Sequence, residues 1–164
     1  MSALTIRDEA ARDHGAIREV LRLAFGGDAE GKLVDDLRET DDVAIALVAE
    51  RQGRILGHVL FSRLEAPMRA LALAPVGVRP ECQNQGIGSA LIRDGLDRAR
   101  KEGWSAVFVL GEPAYYRRFG FDVDAAKGYT CPYSGDYFMM LRLGDEPIPK
   151  TGRLAFSPPF SALG

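Results

Sequence analysis

Histidine and cysteine are scarce in this chain, two of each among 164 residues: His14, His58, Cys82 and Cys131. The cysteines form no Cys-x-x-Cys pair, so neither a disulfide nor a structural zinc site is expected. No apolar run approaches the roughly 20 residues needed to span a bilayer. The start, Met1-Ser2-Ala3-Leu4, has neither the basic nor the apolar region of a secretory signal, so a cytoplasmic location is expected. An excess of one charge is missing too. The formal net charge is −2, which gives no general attraction to nucleic acid or to an anionic membrane. With 46% hydrophobic and 27% charged residues, the chain reads as one globular domain over residues 1–164.

Glycine is plentiful, and its placement is informative. Residues 76 to 91 read Val-Gly-Val-Arg-Pro-Glu-Cys-Gln-Asn-Gln-Gly-Ile-Gly-Ser-Ala-Leu. An apolar strand passes through a Gly-rich turn into an amphipathic helix. Such a turn leaves backbone N–H groups unpaired at a helix N-terminus, a geometry that binds phosphate or pyrophosphate. A dinucleotide fingerprint would need Gly or Ala three residues after Gly88, where Leu91 stands. A Walker loop would need Gly-Lys-Ser/Thr, which is absent.

The flanking pattern supplies the rest of an α/β order. Leu4 to Arg7 reads as a strand. Asp13 reads as the N-cap of a helix with Ile17, Val20, Leu21 and Ala24 on one face. Gly26-Gly27 interrupts it, and Leu33, Val34 and Leu37 mark a second helix capped by Asp28. Val43 to Glu50 and Ile55 to Phe61 form a hairpin around Arg51-Gln52-Gly53-Arg54. Leu71 to Val78 is apolar throughout, as a strand covered on both faces requires. A helix over Gly86–Glu102, a strand over Ala106–Leu110 and a short helix from Ala114 to Phe119 follow, the last stopped at Gly120. Tyr129–Cys131 and Phe138–Arg142 are expected to close the sheet as an antiparallel pair. The order is β-α-α-β-β-β-α-β-α-β-β, with a mixed sheet of about seven strands and about four helices. Residues 144–164, rich in Pro and Gly, are expected to pack along the surface through Phe156 and Phe160.

The run Gln83-Asn84-Gln85-Gly86-Ile87-Gly88 resembles the Gln/Arg-x-x-Gly-x-Gly/Ala signature of the GCN5-related N-acetyltransferases (GNAT). Tyr116-Arg117-Arg118-Phe119-Gly120-Phe121 resembles the Tyr-x-x-x-Gly-Phe element of the same family. The resemblance covers about residues 3–143. The ending Leu154-Ala155-Phe156-Ser157-Pro158-Pro159-Phe160 is similar to that of a bacterial subgroup of mostly unassigned substrate.

The resemblance implies the GNAT fold and transfer of an acetyl group from acetyl-CoA, a cosubstrate, to the amine of a small molecule or peptide, without a metal. It implies that the backbone of Val76, Gly77 and Val78 holds the pantetheine arm where the strand bulges. Pro75, which removes a ladder donor, and Gly77 fit such a break. The N–H near Val78 would polarise the thioester carbonyl. Gln83, Asn84, Gln85, Gly86, Ile87, Gly88 and Ser89 would hold the pyrophosphate. Tyr116 would protonate the departing thiolate.

The family's usual fourth-strand carboxylate is missing from Leu71-Ala72-Leu73-Ala74, so the general base is open among His58, Glu112 and water. The acceptor would bind between Phe25–Glu39 and Pro132–Tyr137, where Asp28, Glu30, Asp35 and Asp36 read either as a seat for a cation or as solvated helix charges. A non-catalytic acyl-CoA-binding or regulatory module, a nucleotide-binding protein and a transferase of another acyl group are the rivals. Base rates and the apolar C-terminal part favour a homodimer.

Overall fold

Alternating apolar residues build an antiparallel meander that carries the first four strands, β1 (Thr5–Asp8), β2 (Val43–Arg51), β3 (Arg54–Leu64) and β4 (Ala70–Val78). The computed structural model describes residues 3–163. Met1, Ser2 and Gly164, counted in the domain above, lie outside the described residues. Two further strands, β5 (Ala106–Leu110) and β7 (Phe138–Arg142), complete a six-stranded sheet in the order β1-β2-β3-β4-β5-β7. Within this sheet only the β4–β5 pair is parallel. The β2–β3 turn puts Gln52 (φ 53°) and Gly53 (φ 76°) in the left-handed region, the geometry of a tight two-residue hairpin.

Helices cover both faces. Helix α1 (His14–Phe25) buries Ile17, Val20 and Leu21, and α2 (Ala29–Glu39) buries Leu33, Val34 and Leu37. Both pack with Val48, Leu60, Phe108 and Phe138 on one face of the sheet. Helix α3 (Ile87–Lys101) buries Leu91, Ile92, Leu96 and Ala99 against Leu47, Phe61, Leu71 and Val107 on the other. Gly95 lets α3 approach closely, since a Cβ there would lie 2.1 Å from the Phe61 ring.

The expected caps are not side-chain caps. Asp13 and Asp28 sit at the N-cap positions of α1 and α2, but neither bonds the helix N–H groups. The Asp13 carboxylate is taken by Arg7 (2.8 Å) and the Ala10 N–H (2.7 Å). Gly26 does end α1, in the left-handed conformation (φ 77°).

The closing strands differ from expectation. β6 (Tyr129–Thr130) does not pair with β7; it pairs in parallel with β8 (Gly152–Arg153) in a separate two-stranded sheet. The main sheet therefore has six strands rather than seven. β7 pairs with β5 because its alternating side chains serve both layers, Phe138 and Met140 on the α1 face and Met139 on the α3 face. Gly128 leaves room only for the returning tail, since a Cβ there would lie 2.1 Å from the Lys150 carbonyl. A one-turn helix α5 (Val123–Ala126), capped by Asp122 through Ala125 N–H, was not expected. The tail enters the core rather than only lining the surface. Phe160 is buried beside α2, Phe156 meets Tyr133 and Phe160 edge-on, and Ala155 exchanges backbone bonds with Glu65.

One polar cluster is sealed inside. His58 on β3 is fully buried, with Nε2 2.8 Å from Glu9. Glu9 also accepts from Arg38 on α2 (2.9 Å). Burial pushes the Glu9 carboxyl up, but its hydrogen bonds from His58 and Arg38 outweigh this and hold it down to about 2. Burial likewise pushes His58 down, against the upward pull of Glu9.

Candidate functional site

The sheet is split at its centre. β4 and β5 pair only through Ala70↔Ala106, Leu71↔Val107 and Ala72↔Phe108. Past that point β4 bulges. Its register with β3 slips between Val59↔Val76 and Phe61↔Leu73, which leaves one extra residue on β4 at Ala74-Pro75. Pro75 lacks the N–H that a central strand would use.

The bulge aims backbone donors into the gap. Arg79 donates its N–H to Leu56 on β3 (2.8 Å). Peptide groups alternate sides along a strand, so the N–H groups of Val78 and Val76 face away from β3, toward the gap left by β5. Gly77 alternates with them: its N–H faces β3, where it pairs with His58, and a Cβ on it would point to α1, 2.9 Å from Leu21.

A cleft of about 800 Å³ opens there, lined by Val76, Val78, Gln83, Asn84, Gly86, Ile87, Gly88 and Ser89 among the residues expected from the sequence. Gly77 and Gln85 do not line it, because Gly77 turns to the opposite face and Gln85 is exposed beyond the loop. Asn84 (φ 64°) and Gly86 (φ 83°) fold the loop back onto the start of α3. The first intrahelical bond runs from Ala90 N–H to the Gly86 carbonyl (3.0 Å), and no side chain caps the helix. The N–H groups of Ile87, Gly88 and Ser89 thus remain free, with the positive end of the helix dipole behind them. A Cβ on Gly88 would come within 3.3 Å of the Tyr115 hydroxyl, a tight contact that a small shift of the tyrosine would relieve. Gln83 ties the loop to β4 by donating to the Val78 carbonyl (3.1 Å).

The facing wall comes from α4 (Pro113–Tyr116) and the 3-10 turn that follows, stopped at Gly120 with φ 100°. Glu112, Ala114, Tyr115 and Arg118 line the cleft. Tyr116 lies behind this surface. Its ring packs over the end of β5, where a Cβ on Gly111 would be 2.4 Å from it, and meets Tyr115 and Phe121 edge-on. Burial raises its hydroxyl to about 12, so it is protonated at neutral pH.

Arg118 was missed in the sequence. Among the described residues it is the one cationic side chain lining the cleft. The signal was the neutral Gln83 at a signature position that also admits Arg, which leaves an anionic ligand to find its cation elsewhere. Other candidates separate. His58 is sealed under α1 and does not reach the cleft, whereas Glu112 does line it. Asp35 pairs with Arg18 and Arg38, and Asp36 with Lys32; they are structural charges. Cys82 is largely buried and lines the cleft next to Gln83.

The split sheet, the uncapped helix start and the Gly-rich turn agree with relationships seen across the whole chain. Residues 9–121 match the Acetyltransferase (GNAT) family. The chain belongs to this family, whose general reaction carries an acetyl group from acetyl-CoA to an amine. It is 36% identical over 151 residues to the uncharacterized N-acetyltransferase YhbS of Escherichia coli K12, covering 88% of this chain and 90% of that one. It is 38% identical over 161 residues to the uncharacterized N-acetyltransferase YjhQ of the same strain, covering 90% and 88%. The crystal structure of E. coli YhbS in complex with CoA superposes with a TM-score of 0.92 at 34% identity, covering 100% of this chain and 95% of that one. A GNAT acetyltransferase from Brucella melitensis in complex with acetyl-CoA gives 0.82 at 35% identity, covering 96% and 98%.

Proposed function

We propose that this chain is an N-acetyltransferase that binds acetyl-CoA in the cleft between β4, α3 and α4 and passes the acetyl group directly to a primary amine. One observation carries the reading: two sets of free backbone donors, those of Val76 and Val78 and those of Ile87, Gly88 and Ser89, face one cleft. The first set suits an extended amide-containing arm, the second a pyrophosphate. The close approach at Gly88 and the left-handed Asn84 and Gly86 fit that pyrophosphate.

Acetyl-CoA supplies an activated thioester. Val78 N–H holds the carbonyl oxygen as negative charge develops there, and one such donor is worth about 3 kcal/mol of barrier. Tyr116, half-buried next to the cleft wall rather than on it, is the residue assigned to hand its hydroxyl proton to the sulfur as the C–S bond breaks and the N–C bond forms. The surplus proton of the amine leaves to water, and water returns one to the Tyr116 phenolate, so the turnover is proton-neutral. Asn84 and the N–H groups from Gly86 to Ser89 hold the pyrophosphate, and Arg118 adds the positive charge that Gln83 does not.

The test is a thermal-shift titration with acetyl-CoA, CoA, ATP and NAD, followed by thiol-release assays over an amine panel. Ligand at 100 times its dissociation constant raises stability by about 2.7 kcal/mol. Stabilisation by both CoA forms, with transfer, supports the proposal. CoA binding without transfer to any amine would favour an acyl-CoA-binding module, and an equal response to ATP would overturn the loop assignment.

A further inference from the structure

Helix α3 continues past the cleft with a cation on the same face. Ser89 lines the cleft, and Arg93 stands four residues on, about one turn further along that face. Arg93 is exposed, and its guanidinium carbon lies 5.0 Å from the centre of the Phe119 ring. Arg118 approaches the same ring from the facing wall, at 5.5 Å, and lies 4.3 Å over Tyr115. One aromatic ring thus gathers two guanidinium groups, from two different elements, at the rim of the cleft.

Neither arginine joins an ion pair among the described residues. Asp97, one turn beyond Arg93, is taken by Arg100 (3.3 Å). Two like charges held near one ring repel each other, and no acid offsets them. The cleft beside them already suits an anion. Arg118 Nη2 is 3.3 Å from the Ser89 Oγ, next to the free N–H groups that open α3. A pyrophosphate seated there engages Arg118. Arg93, one turn away, has room for a second anionic group on the same ligand.

Coenzyme A carries such a group. Its ribose bears a 3′-phosphate, separated from the 5′-linked pyrophosphate by roughly the pitch of one helical turn. A phosphomonoester has about two negative charges at neutral pH and three acceptor oxygens, which suits two forked guanidinium donors.

We propose that Arg93 is a specificity-determining residue that seats the 3′-phosphate of the cosubstrate beside Phe119, with Arg118 between the two phosphate groups. This rests on the acetyl-CoA reading above and assigns the end of the ligand farthest from the thioester. A contact so far from the reacting atoms holds ground state and transition state alike, so it acts on KM and not on kcat.

The experiment titrates CoA and dephospho-CoA, which lacks only the 3′-phosphate, into the wild type, Arg93→Gln and Arg93→Lys by calorimetry. Steady-state kinetics with acetyl-CoA follow. Expected is wild-type binding of CoA about tenfold tighter than of dephospho-CoA. Arg93→Gln should erase that preference by weakening CoA alone, and should raise the KM for acetyl-CoA with kcat held. Arg93→Lys, which keeps the charge, should retain part of the preference. Equal wild-type affinity for the two ligands would overturn the proposal. So would a preference that survives Arg93→Gln, or a substitution that weakens both ligands alike. Each of these leaves the transferase reading intact. Failure of the wild type to bind either ligand would overturn that reading, and this proposal with it.

Discussion

Arg118 reaches across the cleft to Ser89, its Nη2 3.3 Å from the Ser89 Oγ, while its guanidinium carbon lies 4.3 Å over the Tyr115 ring. Nε donates to the Tyr115 carbonyl (3.2 Å), so stacking and hydrogen bonds hold the group ready at the start of α3. A charge-assisted bond to phosphate contributes about 1.5–3 kcal/mol. Arg118→Met is therefore expected to weaken CoA binding by about tenfold or more and to flatten its salt dependence. Transfer from acetyl-pantetheine, which has no phosphate, stays at the wild-type rate. Calorimetric titration at two salt concentrations checks the first part.

Tyr116 and Tyr115 are adjacent, and the proposed function gives them different tasks. Tyr116→Phe is expected to lower kcat by about 100-fold while the KM for acetyl-CoA holds, because general-acid catalysis contributes about that factor or more. With its hydroxyl near 12, Tyr116 adds no basic limb to the rate profile between pH 6 and 9. Tyr115→Phe loses only the long contact with Ser89 (3.4 Å) and should change kcat by no more than a few-fold. Steady-state kinetics of both variants across pH separates the roles.

Gly95→Ala sets helix propensity against packing. Propensity favours Ala by about 1 kcal/mol. Against it, the new methyl would meet the fully buried Phe61 ring at 2.1 Å, and overpacking of this kind costs about 1–3 kcal/mol. Phe61 is fully buried and has no exposed side to retreat toward, so packing wins. The melting temperature is expected to fall by a few degrees, measured by calorimetry.

Acid should destabilise the fold in two stages. His58 is held below its ordinary value, so it stays neutral inside while the unfolded chain takes a proton near pH 6.5. Stability is lost first through His58 as pH falls through that region. Glu9 sits at about 2 in the fold against 4.5 ordinarily, so its contribution is full above pH 4.5 and lost as pH falls toward 2. His58→Gln keeps a donor for Glu9 but cannot titrate. The wild-type melting temperature is expected to drop between pH 7 and 5.5, and that of His58→Gln to stay level over the same range.

The parts written in local chemistry were readable. The Gly turn, the amphipathic stripes and the hairpin at Gln52-Gly53 each carry their geometry in adjacent residues, and they placed β1 to β5 and α1 to α3 within a few residues. Pro75 likewise announced the break in β4. Pairing was less readable, because partner choice depends on distant residues. Nothing near Tyr129 says that Gly152, rather than Phe138, will lie beside it. In the site, the backbone donors were legible from the loop alone. The facing wall was only partly so, because residues 115, 116 and 118 turn different ways on a helix too short to show a period. The sealing of His58 depends on Glu9 and Arg38, both far away in the chain.

A sheet that parts in its middle acquires two interior edges. Unpaired strand edges ordinarily recruit other strands, and proteins blunt them with charge, twist or cover. Here residues of α3 and α4 wall the opening and cover the parted edge of β4. The same exposed N–H groups that would be an aggregation hazard on an open flank become a slot for a single guest. Under the proposed acetyl-CoA binding, a guest in that slot would give the unpaired β4 edge the neighbour that β5 withholds, completing the sheet.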